Sequence, residues 1–221
     1  MIKSAPPSDS SERTPLKVII VGAGIAGLSL AKALESAPSS IQYTVLEARD
    51  ELAPRQGAGI ALAPGGSRIL DQLGVYDELE EQLVPVSSSA VHDGQGRILL
   101  PARSNTAVLV GSRMGYPFGL VERRNVVRAL FNKLCRKNCV KTGKTVVRIE
   151  HSRQESKQIM VICTDGTMYQ GDLVVGADGV RSKVRSEMWA AVEQGICGNF
   201  DVQRERQGEF IHICSHATYD N

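Results

Sequence analysis

Three glycines, Gly22, Gly24 and Gly27, interrupt the first long apolar stretch of the chain, KVIIVGAGIAGLSLAKALES, in the spacing GxGxxG. Side chains removed at this spacing let something approach the backbone closely. Where a strand turns into a helix, the first glycine permits a tight turn, the second admits a pyrophosphate, and the third lets the helix pack on the sheet. The unpaired N–H groups of the helix start then attract phosphate. Glu47 follows at a distance suited to accepting hydrogen bonds from ribose hydroxyls, and a carboxylate there disfavours a 2′-phosphate. Arg49 works the other way, because a neighbouring arginine accommodates that phosphate, so FAD, NAD and NADP all stay open at this point. A second stretch, GADGVRSKVRSEMW, places Asp178 and Gly179 directly after an apolar run, with Arg181, Ser182 and Arg185 beyond. A carboxylate at a strand's C-terminal end takes ribose or ribityl hydroxyls, and the glycine beside it admits a phosphate chain; Asp-Gly is equally a common turn pair.

These residues need particular elements to hold them. Residues 16–21 form a short β-branched apolar run, and Leu28, Ala31 and Leu34 share one helical face, so the glycines fall where a strand becomes a helix. Pro38 ends that helix, and IQYTVLEARD supplies a second strand closing with Glu47, which completes a βαβ unit. Residues 66–73 read as a helix stopped by Gly74, and VYDELEEQL as a second short helix before Pro85. The Asp-Gly pair in AVHDGQGRILL predicts a hairpin. ERRNVVRALFNKLCRK carries Val126, Val127, Leu130, Phe131 and Leu134 at helical spacing. From Lys144 the period becomes two, in KTVVRIEH, QIMVICT and TMYQG, predicting a three-stranded antiparallel meander with a turn at Asp165 and Gly166. DLVVGADGVRSKVR then reads as a buried strand, a tight turn and a basic helix start.

At 221 residues, 42% hydrophobic and 23% charged, the chain can bury one sizeable core, or one domain and part of another. Its 26 basic and 24 acidic residues leave a net charge of +2, too little to argue for a nucleic-acid or membrane surface. Five cysteines without a CxxC pair, and an N-terminus without an apolar core for a signal peptide, predict a reducing, intracellular and cytoplasmic setting. No run approaches the roughly 20 apolar residues of a membrane span. Residues 1–14 read as a disordered tail. Cys135 and Cys139, four apart on the predicted helix, would share a face and serve packing, because two thiols alone make no zinc site. His212, Cys214 and His216 alternate along a strand without an evident fourth ligand, so no metal site is expected. The stretch RERQ, at Arg204 to Gln207, reads as a polar turn.

Taken in order, VIIVGAGIAGLSLAKAL, TVLEARDELAPRQGAGIALAPGGSRILDQLGV, FGLVERRNVVRALFNKL and DLVVGADGVRSKVRSEMW resemble the class A flavin monooxygenases, the aromatic-hydroxylase-like FAD enzymes. The resemblance is strongest to the fungal branch acting in meroterpenoid and indole-diterpene biosynthesis, and it covers most of residues 16–190. It implies an α/β fold: a Rossmann-like FAD-binding domain from residues 15–85 and 120–195, with an antiparallel meander. Residues 86–119 and 196–221 would belong to an incomplete substrate-binding β-sheet domain. It also implies FAD as cofactor, NAD(P)H as reductant, and hydroxylation or epoxidation of a prenylated or aromatic small molecule with O2. Gly22, Gly24 and Gly27 would hold the FAD pyrophosphate and Glu47 the adenosine ribose. Ala61, in GAGIALAP, would line the flavin site through its backbone. Arg123, with Arg124 beside it as the alternative, would reach the pyrophosphate or ribityl region, and Asp178 and Gly179 would serve both FAD and the reduced nicotinamide. The oxygen chemistry of such enzymes resides in the flavin, so no catalytic side chain is assigned. Nothing resembles the Tyr-x-x-x-Lys pair of a dehydrogenase. The sequence ends before the family's further Gly-Asp motif and C-terminal helices, and GEFIHICSHATYDN reads as the opening strand of the substrate sheet. A chain of this length is therefore expected to oxygenate poorly, with a catalytically dead nucleotide-binding remnant as the alternative.

Overall fold

Successive buried side chains of the first strand enter two separate apolar layers. The computed structural model describes residues 15–37, 41–55, 59–86, 88–103, 106–151 and 158–193. The first elements are β1 (Leu16–Val21), α1 (Ile25–Glu35), β2 (Ile41–Leu46), β3 (Gly59–Leu62), α2 (Pro64–Gln72) and α3 (Tyr76–Glu80). There follow β4 (Val84–Pro85), β5 (Ser89–His92), β6 (Ile98–Arg103), α4 (Thr106–Met114), β7 (Gly119–Glu122) and α5 (Arg123–Asn132). A 3-10 turn (Lys137–Cys139) leads to β8 (Val140–Lys141), β9 (Val146–His151), β10 (Ile159–Cys163), β11 (Met168–Gly171), β12 (Leu173–Gly176) and α6 (Lys183–Glu193).

The central sheet runs β12-β1-β2-β8, with every neighbouring pair parallel. Val18 and Ile20 of β1 point into a layer shared with Leu28 and Ala31 of α1 and Val126, Val127 and Leu130 of α5. Ile19 and Val21 point the other way, against Val146, Val161 and Cys163 of the antiparallel meander β11-β10-β9 and Val184 of α6. A strand buried on both faces reads as a continuous apolar run, and this is why KVIIV carries no polar alternation. Ile20, Leu28 and Val45 are completely buried, each stabilising the fold by about 1.5 to 3 kcal/mol.

The βαβ unit, the amphipathic helix and the meander form where expected, and the mixed α/β class is borne out. Several boundaries differ for local reasons. The second strand stops at Leu46, which leaves Glu47 as the first residue past the sheet edge. Helix α2 starts at Pro64 rather than Gly66, because proline at the first helical position is already set at a helical φ; Gly74 closes it at φ +69. In the β5–β6 hairpin, Asp93 accepts the N–H groups of Gln95 and Arg97, and the left-handed residue is Gly96 at φ +79, not the glycine of the Asp-Gly pair. Helix α5 ends at Asn132, so Cys135 and Cys139 do not share a helical face. The Glu35 carboxylate takes the N–H groups of Cys135 and Arg136 and turns the chain away. The structure adds helix α4 and the short strands β3, β4, β7 and β8 to the elements read from the sequence.

No helix among the described residues is long and apolar enough to cross a membrane. Residues 1–14, Arg204 to Gln207, and the trio His212, Cys214 and His216 with the final FIHIC stretch lie outside the described residues.

Candidate functional site

The C-terminal ends of β1, β2 and β12 open into a cavity of about 450 Å3. Gly22 sits at φ +103, and a Cβ there would lie 2.4 Å from the Ala177 carbonyl oxygen. The two turns are interlocked, since Gly22 N–H donates to Leu46 O and Ala177 N–H to Val21 O, each at 2.7 Å. A Cβ on Gly27 would lie 1.9 Å from the Gly22 carbonyl oxygen, so α1 starts flush against the glycine turn. Gly24 is the N-cap of α1, with no side-chain cap and no acidic residue in the first turn. The first N–H groups of the helix and the positive end of its dipole are therefore left uncompensated beside the cavity.

Arg123, the first residue of α5, crosses this helix start, its Nη2 3.3 Å from where a Gly24 Cβ would be. It lines the cavity, whereas Arg124 pairs with Glu122 outside it. Geometry thus separates two arginines that sequence could not. The Glu47 carboxylate reaches back to the glycine turn, accepting the N–H of Ala23 at 2.8 Å and that of Arg49 at 3.0 Å. A carboxylate offers about four acceptor positions, so room is left for hydroxyl donors.

Asp178 and Gly179 also line the cavity, but the Asp178 carboxylate is engaged elsewhere. Its Oδ1 accepts the Ser182 hydroxyl at 2.6 Å, and its Oδ2 accepts the N–H groups of Lys183 at 2.6 Å and Val184 at 3.1 Å. Asp178 therefore shares the capping of α6 with Ser182, whose Oγ accepts the Arg185 N–H at 3.0 Å, and Gly179 beside it stands at φ +79. Three of its roughly four acceptor positions are thus taken by Ser182 and by the N–H groups at the start of α6. Asp178→Ala is expected to lose about 1 to 2 kcal/mol of stability through the lost cap, read as a lower thermal midpoint. An unchanged midpoint would refute the capping role. Ala61 lies on the exposed face of β3, paired with Leu120, and is not among the cavity walls.

Sequence reasoning missed Lys144, Thr145 and Val146, which come to the cavity from the start of β9, and Leu52 and Lys183. No local motif marks residues 144–146, which enter where β8, paired with β2, leads on to β9; Leu52 and Lys183 lie inside quoted motifs at positions to which no role attaches in the sequence. Among the described residues, Arg49, Arg123, Arg181, Lys144 and Lys183 line the cavity with the carboxylates Glu47 and Asp178; Lys144 is paired with Asp165 and Lys183 with Glu187, which leaves the arginines as the cations that favour an anion.

A parallel sheet with an open helix start, a glycine turn and an acidic residue at the end of the second strand defines a dinucleotide-binding protein of Rossmann-like architecture. The chain belongs to the FAD-binding-domain family, whose model, described as FAD binding domain, matches residues 15–211. It is 64% identical over 207 residues to FAD-dependent monooxygenase anuJ of Penicillium roqueforti, covering 94% of this chain and 25% of that protein. It is 43% identical over 199 residues to FAD-dependent monooxygenase esdpE of Penicillium shearii, covering 90% of this chain and 40% of that protein. Among solved structures, Klebsiella pneumoniae HpxO complexed with FAD and uric acid matches with a TM-score of 0.62 at 31% identity, over 77% of this chain and 41% of that chain. The 2,6-dihydroxypyridine-3-hydroxylase of Arthrobacter nicotinovorans shares the fold at a TM-score of 0.62 and 24% identity, over 79% of this chain and 40% of that chain. The chain spans 25% and 40% of the lengths of the two curated relatives. The resemblance to fungal FAD-dependent monooxygenases is thereby borne out, with FAD as the cofactor of the domain.

Proposed function

We propose that the chain binds FAD in this cavity for a monooxygenase reaction of fungal secondary metabolism. NAD(P)H would be the reductant, and O2 would hydroxylate or epoxidise a prenylated or aromatic small molecule. One observation carries the reading: an uncapped α1 N-terminus beneath Arg123, with the Glu47 carboxylate at the same glycine turn. The residues fit the cofactor. The cradle at Gly22, Gly24 and Gly27 leaves backbone N–H groups for the pyrophosphate, Arg123 adds a cation over it, and Glu47 keeps acceptor capacity for ribose hydroxyls. Asp178 would act by shaping the turn at Gly179 rather than by touching the cofactor. Ala61 is proposed to border the flavin end through its strand backbone. Bound FAD would supply reduction and oxygen activation, while the chain's own residues bind and orient it.

The decisive experiment adds FAD to the purified chain, desalts it, and records the visible spectrum. Retained flavin absorbance is the expected result, and a colourless protein that binds NADPH tightly would overturn the cofactor assignment. NADH or NADPH is then supplied with a prenylated substrate, and oxygenated product and hydrogen peroxide are followed separately. Coupled product supports the monooxygenase reading; flavin binding with peroxide but no product marks a binding module with an open flavin site. Glu47→Ala is expected to weaken FAD binding by about 1 to 3 kcal/mol, because ribose hydroxyls would lose their charged acceptor. Calorimetry giving equal affinity for parent and variant would remove Glu47 from the site.

A further inference from the structure

Outside the cavity, one surface hairpin is tied into the cavity wall through side chains. The turn between β10 and β11 carries Asp165, whose Oδ1 accepts the N–H of Thr167 at 3.0 Å and its hydroxyl at 2.6 Å. The other oxygen, Oδ2, accepts from Nζ of Lys144, which also donates to Thr167 Oγ1 at 3.3 Å. The same turn is joined to the entry of β9 by Thr164 N–H, which donates to Thr145 O at 2.9 Å. Lys144 is a wall residue of the cavity with a side chain 20% exposed; Asp165 is not a wall residue.

From Lys144 the contacts lead to the glycine turn. Its backbone N–H donates to Glu47 O at 2.7 Å, Gly143 N–H donates to Arg49 O at 2.9 Å, and Glu47 N–H donates to Lys141 O at 2.8 Å. The Glu47 segment is thus stitched on both sides to residues 141–144, and the Glu47 carboxylate ends the path on Ala23 N–H. A single exposed ion pair contributes little, but here a half-buried lysine meets a carboxylate that gathers three donors, so the group behaves as a network. A lysine on a flexible stem would otherwise leave this segment free to open locally.

We propose that Asp165 is a positioning residue for the cofactor cavity, holding Lys144 so that residues 141–145 keep the Glu47 carboxylate at the glycine turn. Its effect on cofactor binding rests on the FAD assignment above; the mechanical link from hairpin to glycine turn does not.

The test compares the parent chain with Asp165→Asn, Lys144→Met, the two combined, and the charge exchange Lys144→Asp with Asp165→Lys. Hydrogen exchange is measured without ligand. Each single substitution is expected to speed exchange several-fold at residue 23 and residues 47–50, leaving residues 28–34 and 89–103 as in the parent. FAD affinity, followed by flavin fluorescence, is expected to fall about three- to tenfold in each single variant. The combined variant should be no weaker than the weaker single one, and the charge exchange should recover part of the loss. Parent-like exchange in the single variants overturns the proposal, as do losses of affinity that simply add in the combined variant. Uniformly faster exchange with a lowered melting midpoint overturns it too, since that is a general loss of stability. If the parent fails to bind FAD while the localised exchange pattern appears, the FAD assignment fails and the link stands.

Discussion

Replacing Gly27 with alanine is expected to cost about 3 kcal/mol or more of unfolding free energy and to abolish retention of FAD. The added Cβ would fall 1.9 Å from the Gly22 carbonyl oxygen, 3.1 Å from its carbon and 3.4 Å from the Ala177 Cβ. The first two are backbone atoms, so no side-chain rotation relieves the overlap. Helix α1 would have to lift from the glycine turn, which carries the N–H groups proposed for the pyrophosphate. Gly65→Ala supplies the control: this glycine lies in the first turn of α2 with nothing within 4 Å of the added Cβ. There the alanine should be neutral or stabilise by up to about 1 kcal/mol. Urea unfolding of both variants checks the pair, and a Gly27→Ala midpoint equal to the parent's would sink the packing account.

Acid should unfold the chain through Glu35. This carboxylate, at the end of α1 with a side chain 5% exposed, accepts the Tyr43 hydroxyl at 2.7 Å, Cys135 N–H at 3.0 Å and Arg136 N–H at 2.8 Å. Burial by itself raises its pKa, but the Cys135 N–H, the Tyr43 hydroxyl, the Arg136 N–H and the Lys32 ammonium outweigh it and hold the group down to about 2. The Arg136 guanidinium lies over the Tyr43 ring at 4.4 Å, closing the cluster. A folded pKa below the unfolded one means that the unfolded chain binds protons first as pH falls. The stability contributed by Glu35 is therefore fully present above its unfolded value of 4.5, and is lost as pH falls towards about 2. A depression of this size corresponds to about 3 kcal/mol. Glu35→Gln should lose about 1 to 3 kcal/mol near neutral pH and flatten the pH dependence, because the amide cannot ionise and presents donors to N–H groups. Urea midpoints taken from about pH 5 to about pH 3 test this; the same slope in parent and variant would exclude Glu35 as the acid-sensitive group.

The glycine cradle was legible in the sequence because all its determinants lie within one short segment. Gly22 needs a left-handed turn, Gly27 a close approach, and the flanking periodicities name the strand and the helix around them. The meander was legible for the same reason, as a period of two broken by Asp165 and Gly166. The resemblance to FAD monooxygenases likewise rests on motifs read one after another along the chain.

Tertiary structure decided what depends on neighbours in space. Arg123 and Arg124 are indistinguishable as adjacent residues; the direction of the first turn of α5 sends one over α1 and the other to Glu122. Asp178 reads in the sequence as an acceptor for ligand hydroxyls, and only the fold shows that its oxygens also take the N–H groups of Lys183 and Val184 at the start of α6. Lys144 and Glu35 carry no motif at all. Lys144 meets Asp165 across the turn of the meander and Glu47 where β8 pairs with β2, while Glu35, at the end of α1, receives the N–H groups of Cys135 and Arg136 about a hundred positions away. Local sequence sets turn chemistry and the period of burial. Which strand ends converge on one cavity is set by strand order, a consequence of packing two apolar layers against both faces of one sheet.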